Sequence, residues 1–211
     1  MSIADHDIIS QRYFFPTRQS LPGAHVVDAG EAELACFAAE RGHDVTLVHF
    51  HGNGEIVGNY VPGFIDMVDD LGANTFLAEY RGYGGSTGTP RLAAMLDDVE
   101  AIRQAISEAI SEATGGRPDE QIVVFGRSVG SIYAIEFAAR FPDIAGLVLE
   151  SGIADVHERI LLRATPAELG ATPEELRAEF DRIENLDNDL DHARLGYLPD
   201  YPAPESQAPF T

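Results

Sequence analysis

The residues with the clearest chemical spacing are Gly126-Arg127-Ser128-Val129-Gly130, a G-x-S-x-G run. A serine framed by glycines becomes a nucleophile where the chain turns so tightly that flanking side chains are excluded and the hydroxyl is thrust above a sheet. Such a turn needs a buried strand before it and a helix after it. Gln121-Ile122-Val123-Val124-Phe125 reads as the strand, and Ser131 to Arg140 reads as the helix. The bland alternative is a glycine-rich turn in which Ser128 caps a helix. If Ser128 attacks an acyl carbon, the tetrahedral oxyanion needs backbone N–H donors from the residue after the serine and from the loop after an earlier strand. Val129 and Asn53, in His51-Gly52-Asn53-Gly54, stand in those places. His49 and His51 read as imidazoles packed at a strand end rather than as reactive groups.

The elements that must position these residues follow from periodicity. Residues 24–40 hold two extended stretches around Ala29-Gly30-Glu31, which predicts a hairpin. The β-branched run Asp44 to Phe50, then Ala73 to Tyr80, Gln121 to Phe125 and Ala145 to Leu149 predict four further strands. A helix is expected after Pro62-Gly63. A longer one follows the loop from Arg81 to Pro90, with Leu92, Leu96, Val99, Ile102, Ile106 and Ile110 on one face and Asp97, Asp98, Glu100, Arg103 and Glu108 on others. Strands alternating with helices predict an α/β fold, a mainly parallel sheet covered by helices on both faces. Thr165-Pro166-Ala167-Glu168 and Thr172-Pro173-Glu174-Glu175 each fit a capping box, which predicts two short consecutive helices.

Composition narrows the chemistry. The chain has 14 basic residues, all Arg, against 35 acidic ones, a formal charge of −21. So acidic a surface repels phosphate backbones and anionic lipid, and neither nucleic acid nor membrane is an expected partner. Without lysine there is no Schiff base and no Walker-type phosphate loop. Cys36 is the sole cysteine, which excludes an internal disulfide and a cysteine-based zinc site and fits a reducing compartment. The opening residues 1–7 lack the basic flank and apolar run of a secretory signal, and no apolar run approaches ~18 residues. The expected location is the cytoplasm, with no cofactor and no metal.

His51-Gly52-Asn53, Tyr80-Arg81-Gly82-Tyr83-Gly84 and Gly126-Arg127-Ser128-Val129-Gly130, taken together in this order, resemble the α/β-hydrolase superfamily. Within it they are similar to the branch of small acyl hydrolases that includes depalmitoylase-like thioesterases and relatives of serine peptidases. The resemblance covers about residues 25–155. It implies a hydrolase core over 1–154, a helical cap over 155–184 inserted after the strand 145–149, and a loop or disordered tail over 185–211. It also implies a small ester or thioester as substrate and a triad in the chain order Ser, acid, His. After Ser128 the histidines are His157 and His192, so Asp155 and His192 are the tentative acid and base.

Two other readings stay open. One is an inactive or truncated protein of the same fold. The other, more distant, takes Gly52-Asn53-Gly54-Glu55-Ile56-Val57-Gly58 as a dinucleotide-binding loop with Glu79 on the ribose. In the resemblance the strand 145–149 is normally covered by two more strands, for which no segment is found. An incomplete C-terminal part and self-association through an unprotected edge are therefore expected.

Overall fold

The computed structural model of the chain describes residues 2–61, 63–114 and 121–189. Strands β1 (His25–Asp28) and β2 (Glu33–Ala39) form the expected hairpin, antiparallel in the register His25 to Cys36 and Asp28 to Glu33. Its turn uses Gly30 at φ 76°, a conformation open to glycine without a Cβ penalty. β3 (Val45–Phe50), β4 (Ala73–Ala78), β5 (Gln121–Arg127) and β6 (Gly146–Glu150) follow, in the sheet order β1-β2-β4-β3-β5-β6. β2 runs antiparallel to β4, and β3, β4, β5 and β6 are mutually parallel. In the centre of the sheet Val48, Phe50, Phe76, Leu77 and Val124 are fully buried, which is why these strands read as apolar runs rather than alternating ones.

Parallel neighbours require crossovers, and helices supply them. α2 (Gly63–Asp70) links β3 to β4, α3 (Leu92–Thr114) links β4 to β5, and α4 (Gly130–Arg140) links β5 to β6. α3 buries Leu92, Met95, Leu96, Val99, Ile102 and Ile106 along one stripe, each such side chain contributing roughly 1.5–3 kcal/mol of apolar burial. One residue departs from the expected pattern. Asp98, assigned to the polar face, is 5% exposed because it receives Arg81 from the loop after β4.

One helix has no counterpart in the sequence reading. An N-terminal helix, α1 (Asp7–Tyr13), is capped by the His6 ring, which accepts from the Ile8 amide at 3.1 Å. α5 (Val156–Leu161) and α6 (Pro173–Asp189) follow β6, with Leu176 and Phe180 buried, and α6 runs past residue 184. Of the two capping boxes, the one at Thr172 starts α6. The one at Thr165 starts only a 3-10 turn, Pro166–Leu169, because Gly170 at φ 66° ends it. Most of the expected tail, with His192, lies outside the described residues. Among the described residues β6 is the last strand of the sheet, with Val148 and Leu149 exposed, and no helix is long and apolar enough to cross a membrane.

Candidate active site

The chain reverses from β5 into α4 at Ser128, which takes φ 53°, a left-handed conformation that L-residues adopt at a cost. Crowding explains both glycines. A Cβ on Gly126 would lie 2.6 Å from the Ala134 Cβ, and one on Gly130 would lie 2.7 Å from the His51 carbonyl oxygen and closer still to that of Phe50. The turn is latched to the end of β6: the Ser128 amide donates to the Glu150 carbonyl at 2.9 Å. The Ser131 hydroxyl donates to the Ser128 carbonyl at 2.6 Å and accepts from the Ile153 amide at 2.9 Å. The N-cap of α4 is Val129, not Ser128, so the helix-cap reading of the serine does not hold.

The loop after β3 is fixed from below. His51 is 1% exposed, its Nδ1 donates to the Gly52 carbonyl at 2.9 Å, and its Nε2 lies 2.7 Å from Oε1 of the equally buried Glu79. A carbonyl only accepts, so Nδ1 carries a proton and at least one more lies between the ring and the carboxylate. The other Glu79 oxygen accepts from the Val57 amide at 3.0 Å. Gly84 must be glycine because a Cβ there would run into the Glu79 carboxylate. Tyr80 donates to the His51 carbonyl at 2.8 Å and Tyr83 to Asn53 Oδ1 at 2.8 Å. Arg81 grips Asp98 with two bonds of 2.6 and 2.7 Å. Tyr80 and Tyr83 are therefore a scaffold for this loop, and Arg81 ties their own loop to α3 and to the Ala29 carbonyl, roles the sequence did not reveal.

Glu79 in this position contradicts the dinucleotide reading. Its carboxylate is buried and committed to His51 and Val57, and a 3-10 turn, Val57–Asn59, stands where a pyrophosphate-binding helix would begin. Glu55, in the same loop, accepts from the Gly52 amide at 2.7 Å and the Tyr60 hydroxyl at 2.6 Å, and pairs with Arg127 of the serine turn. His49 sits among Tyr60, Phe64 and Phe125. Burial, with lesser help from His51 and Arg127, lowers its pKa to about 3, so it is neutral across the physiological range.

Asn53, Ser128 and Val129 come together on one cavity of about 210 Å³, closed by Tyr13, by Ser151 and Ile153 after β6, and by Arg159, Leu162 and Arg163 of α5 and the chain after it. The Asn53 side chain is spent on structure: Nδ2 donates to the Tyr13 carbonyl at 2.6 Å and Oδ1 accepts from the Phe15 amide at 2.9 Å. The backbone N–H groups of Asn53 and Val129 have no acceptor among the described residues. Asp155 is not on the cavity wall. It caps α5, accepting from the Glu158 amide at 2.7 Å, and lies 3.8 Å from Arg177. His192 falls outside the described residues, and among them no histidine lines the cavity.

A sheet of this order, with a glycine-framed serine between β5 and α4 and a helical insertion after β6, is the architecture of the α/β-hydrolase superfamily. Solved structures agree on the fold. Est1E from Butyrivibrio proteoclasticus, determined with ferulic acid bound, superposes with a TM-score of 0.58 at 16% identity, over 77% of this chain and 73% of that one. A putative hydrolase from Agrobacterium vitis S4 gives 0.56 at 17% identity, over 74% and 70%.

Within the superfamily, residues 42–180 match the family Hydrolase_4, described as serine aminopeptidase, S33, and the chain belongs to it. Among its relatives, protein bem46 of Schizosaccharomyces pombe is 33% identical over 117 residues, 54% of this chain and 37% of that protein. Human alpha/beta hydrolase domain-containing protein 17B is 31% identical over 106 residues, 50% and 35%. The matched stretch thus spans about a third of the length of each of these relatives.

Proposed function

We propose that this chain is a serine hydrolase that cleaves small esters or thioesters through an acyl-Ser128 intermediate. The observation that carries the reading is the serine turn itself. A non-glycine residue at φ 53°, framed by two glycines that no larger residue can replace, opens on the cavity that Asn53 and Val129 also line. Backbone strain at a single residue costs about 1–3 kcal/mol and persists where the surrounding structure over-determines it, typically at functional positions.

In this reading Ser128 Oγ attacks the acyl carbon and the carbonyl oxygen becomes an oxyanion held by the Asn53 and Val129 amides. The C–O or C–S bond to the leaving group breaks, the proton lost by the serine hydroxyl goes to the departing alcohol or thiol, and water then hydrolyses the acyl-serine to release the acid and restore the hydroxyl. Esters and thioesters suit the site better than amides, because an amine leaving group depends more heavily on a well-placed acid. The chain order Ser128, Asp155, His192 stands behind Asp155 as acid and His192 as base, whereas the contacts of Asp155 are those of a helix cap. The cytoplasmic placement rests on composition and on the buried, unpaired Cys36.

A second reading, a binding protein that keeps the pocket without turnover, is favoured by one observation: among the described residues no histidine lines the cavity. Hydrolysis of short 4-nitrophenyl esters distinguishes the two. The first reading requires measurable turnover that falls to background in Ser128→Ala while the melting temperature holds. A Ser128→Ala protein as active as the parent would overturn it.

A further inference from the structure

The Ser128 cavity is cationic in a chain of formal charge −21. Most other described arginines find acids, as Arg81 does in Asp98, Arg127 in Glu55 and Arg140 in Asp97, although Arg18 is bonded only to the Ser86 and Gly88 carbonyls and Arg91 has no ion pair among the described residues. Among the described residues Arg159 and Arg163 find no acid either. They stand four residues apart around the end of α5, both on the cavity wall, with no carboxylate among the other lining residues. Among the described residues neither guanidinium has an ion pair or a hydrogen-bond acceptor. Two arginines without carboxylate partners among the described residues, side by side on the cavity that also holds Ser128, make a place that suits a negative charge on a ligand. Arg163 is held in place by the Phe15 ring, 5.6 Å from its guanidinium carbon.

An independent observation comes from Tyr13, which lines the same cavity. Tyr13 is 7% exposed, and its hydroxyl has no hydrogen-bond partner among the described residues. Buried hydroxyls without partners are rare and call for an explanation such as a ligand. Burial raises this phenol to about 12 while the charges of Arg159 and Arg163 pull it down, so the hydroxyl keeps its proton at neutral pH and sits within the field of both arginines.

We infer that the substrate carries an anionic group, a carboxylate or a phosphate, that seats against Arg159 and Arg163 and accepts from the Tyr13 hydroxyl while its acyl carbonyl meets Ser128. The assignment of the carbonyl rests on the hydrolase reading; the anion site does not. A cavity of about 210 Å³ admits a short acyl chain between the two ends rather than a long one.

Two measurements on the full chain test this and separate it from the catalytic proposal. In the first, glutarate and inorganic phosphate are titrated by NMR into Ser128→Ala protein with and without Arg159→Gln/Arg163→Gln. The expected result is saturable shifts at Tyr13 and Ala164, with affinity for at least one anion weakened ~10-fold or more by the double substitution. Equal affinity in both proteins, or no binding, overturns the anion site whether or not the chain turns over esters. In the second, kcat/KM is compared for 4-nitrophenyl hydrogen glutarate, with the charge on the acyl side, and 4-(butyryloxy)benzoate, with the charge on the leaving group, each against neutral 4-nitrophenyl butyrate. The double substitution should lower the anionic-to-neutral ratio ~10- to 100-fold for one of the two, which names the end that carries the charge, and Tyr13→Phe should lower the same ratio less. Ratios unchanged for both anionic esters contradict the inference. Absence of turnover on all three counts against the hydrolase reading and leaves the titration to decide the anion site.

Discussion

On one side of the Ser128 cavity the loop after β3 is held by a closed set of hydrogen bonds. His51 meets Glu79, Glu79 meets the Val57 amide, Tyr80 meets the His51 carbonyl, and Tyr83 and the chain near Tyr13 hold Asn53. On the other side α5 and the chain after it offer Arg159 and Arg163 with no ion pair among the described residues, beside an Asp155 engaged in capping α5 and next to a strand β6 with exposed apolar side chains. The first wall is finished before any ligand arrives. In the proposed reading that fixed loop holds the Asn53 amide where an oxyanion would form, so that charge is stabilised without rearrangement at the moment of reaction. The second wall leaves charge exposed, which suits recognition of a group that changes from ligand to ligand. Rigid chemistry on one side and open selection on the other is the division of labour the cavity suggests.

The sharpest way to break the first wall is from a distance. Asp98 and Arg81 are both at least nine-tenths buried and joined by two short bonds, and Arg81 also donates to the Ala29 carbonyl at 2.9 Å. Removing one partner leaves the other as an uncompensated buried charge, at a cost of about 3–5 kcal/mol. Asp98→Asn should therefore lower the denaturation midpoint sharply, with turnover lost because the loop that carries Tyr80 and Tyr83 loosens. Urea denaturation measures it, and a midpoint near that of the parent would show that the scaffold does not depend on this pair.

A smaller effect separates the walls by pH. His49 has an ordinary pKa of 6.5 and a pKa of about 3 in the fold. Between those values the unfolded chain binds one proton more than the folded one, so stability rises with pH across the window. The His49 contribution is complete above pH ~6.5 and is lost as pH falls toward 3, with a slope of at most ~1.4 kcal/mol per pH unit. His49 Nε2 has no partner among the described residues and the ring lies among aromatics, so His49→Phe should retain the fold at pH 7. Melting curves at pH 7, 6, 5 and 4 should show the variant falling less steeply than the parent. Parallel curves would contradict the burial of a neutral imidazole there.

The smallest effect sharpens the second wall. Asn is as good an N-cap as Asp, so Asp155→Asn should shift stability by no more than a few tenths of a kcal/mol. Turnover should change by less than ~3-fold if Asp155 is only a cap. A loss approaching ~10⁴ would instead make it the carboxylate that orients the base, since such a loss follows when an amide fixes the wrong imidazole tautomer.

The legible parts of this molecule were those in which neighbours in sequence decide the outcome. β3, β4, β5 and β6 were readable because buried parallel strands are apolar runs, and the Ser128 turn because its two glycines flank it directly. Glu79, Asp98 and Tyr83 were not. Their roles depend on partners 28, 17 and 30 residues away, and a lone acid near a strand end or on a helix looks the same in sequence whether solvated or buried. α1 went unread for a related reason. Its Tyr13 and Ile9 are buried by the rest of the protein, while its seven residues are too few for a periodic signal.

The most direct test of the central claim is covalent labelling of the full chain by a fluorophosphonate at neutral pH, followed by peptide mapping. Phosphonylation requires a serine hydroxyl activated well beyond that of a solvated one. The expected result is a single adduct on the peptide containing Ser128, absent from Ser128→Ala and from heat-denatured protein. An unlabelled native chain, or label that persists in Ser128→Ala, would contradict the assignment of Ser128 as nucleophile.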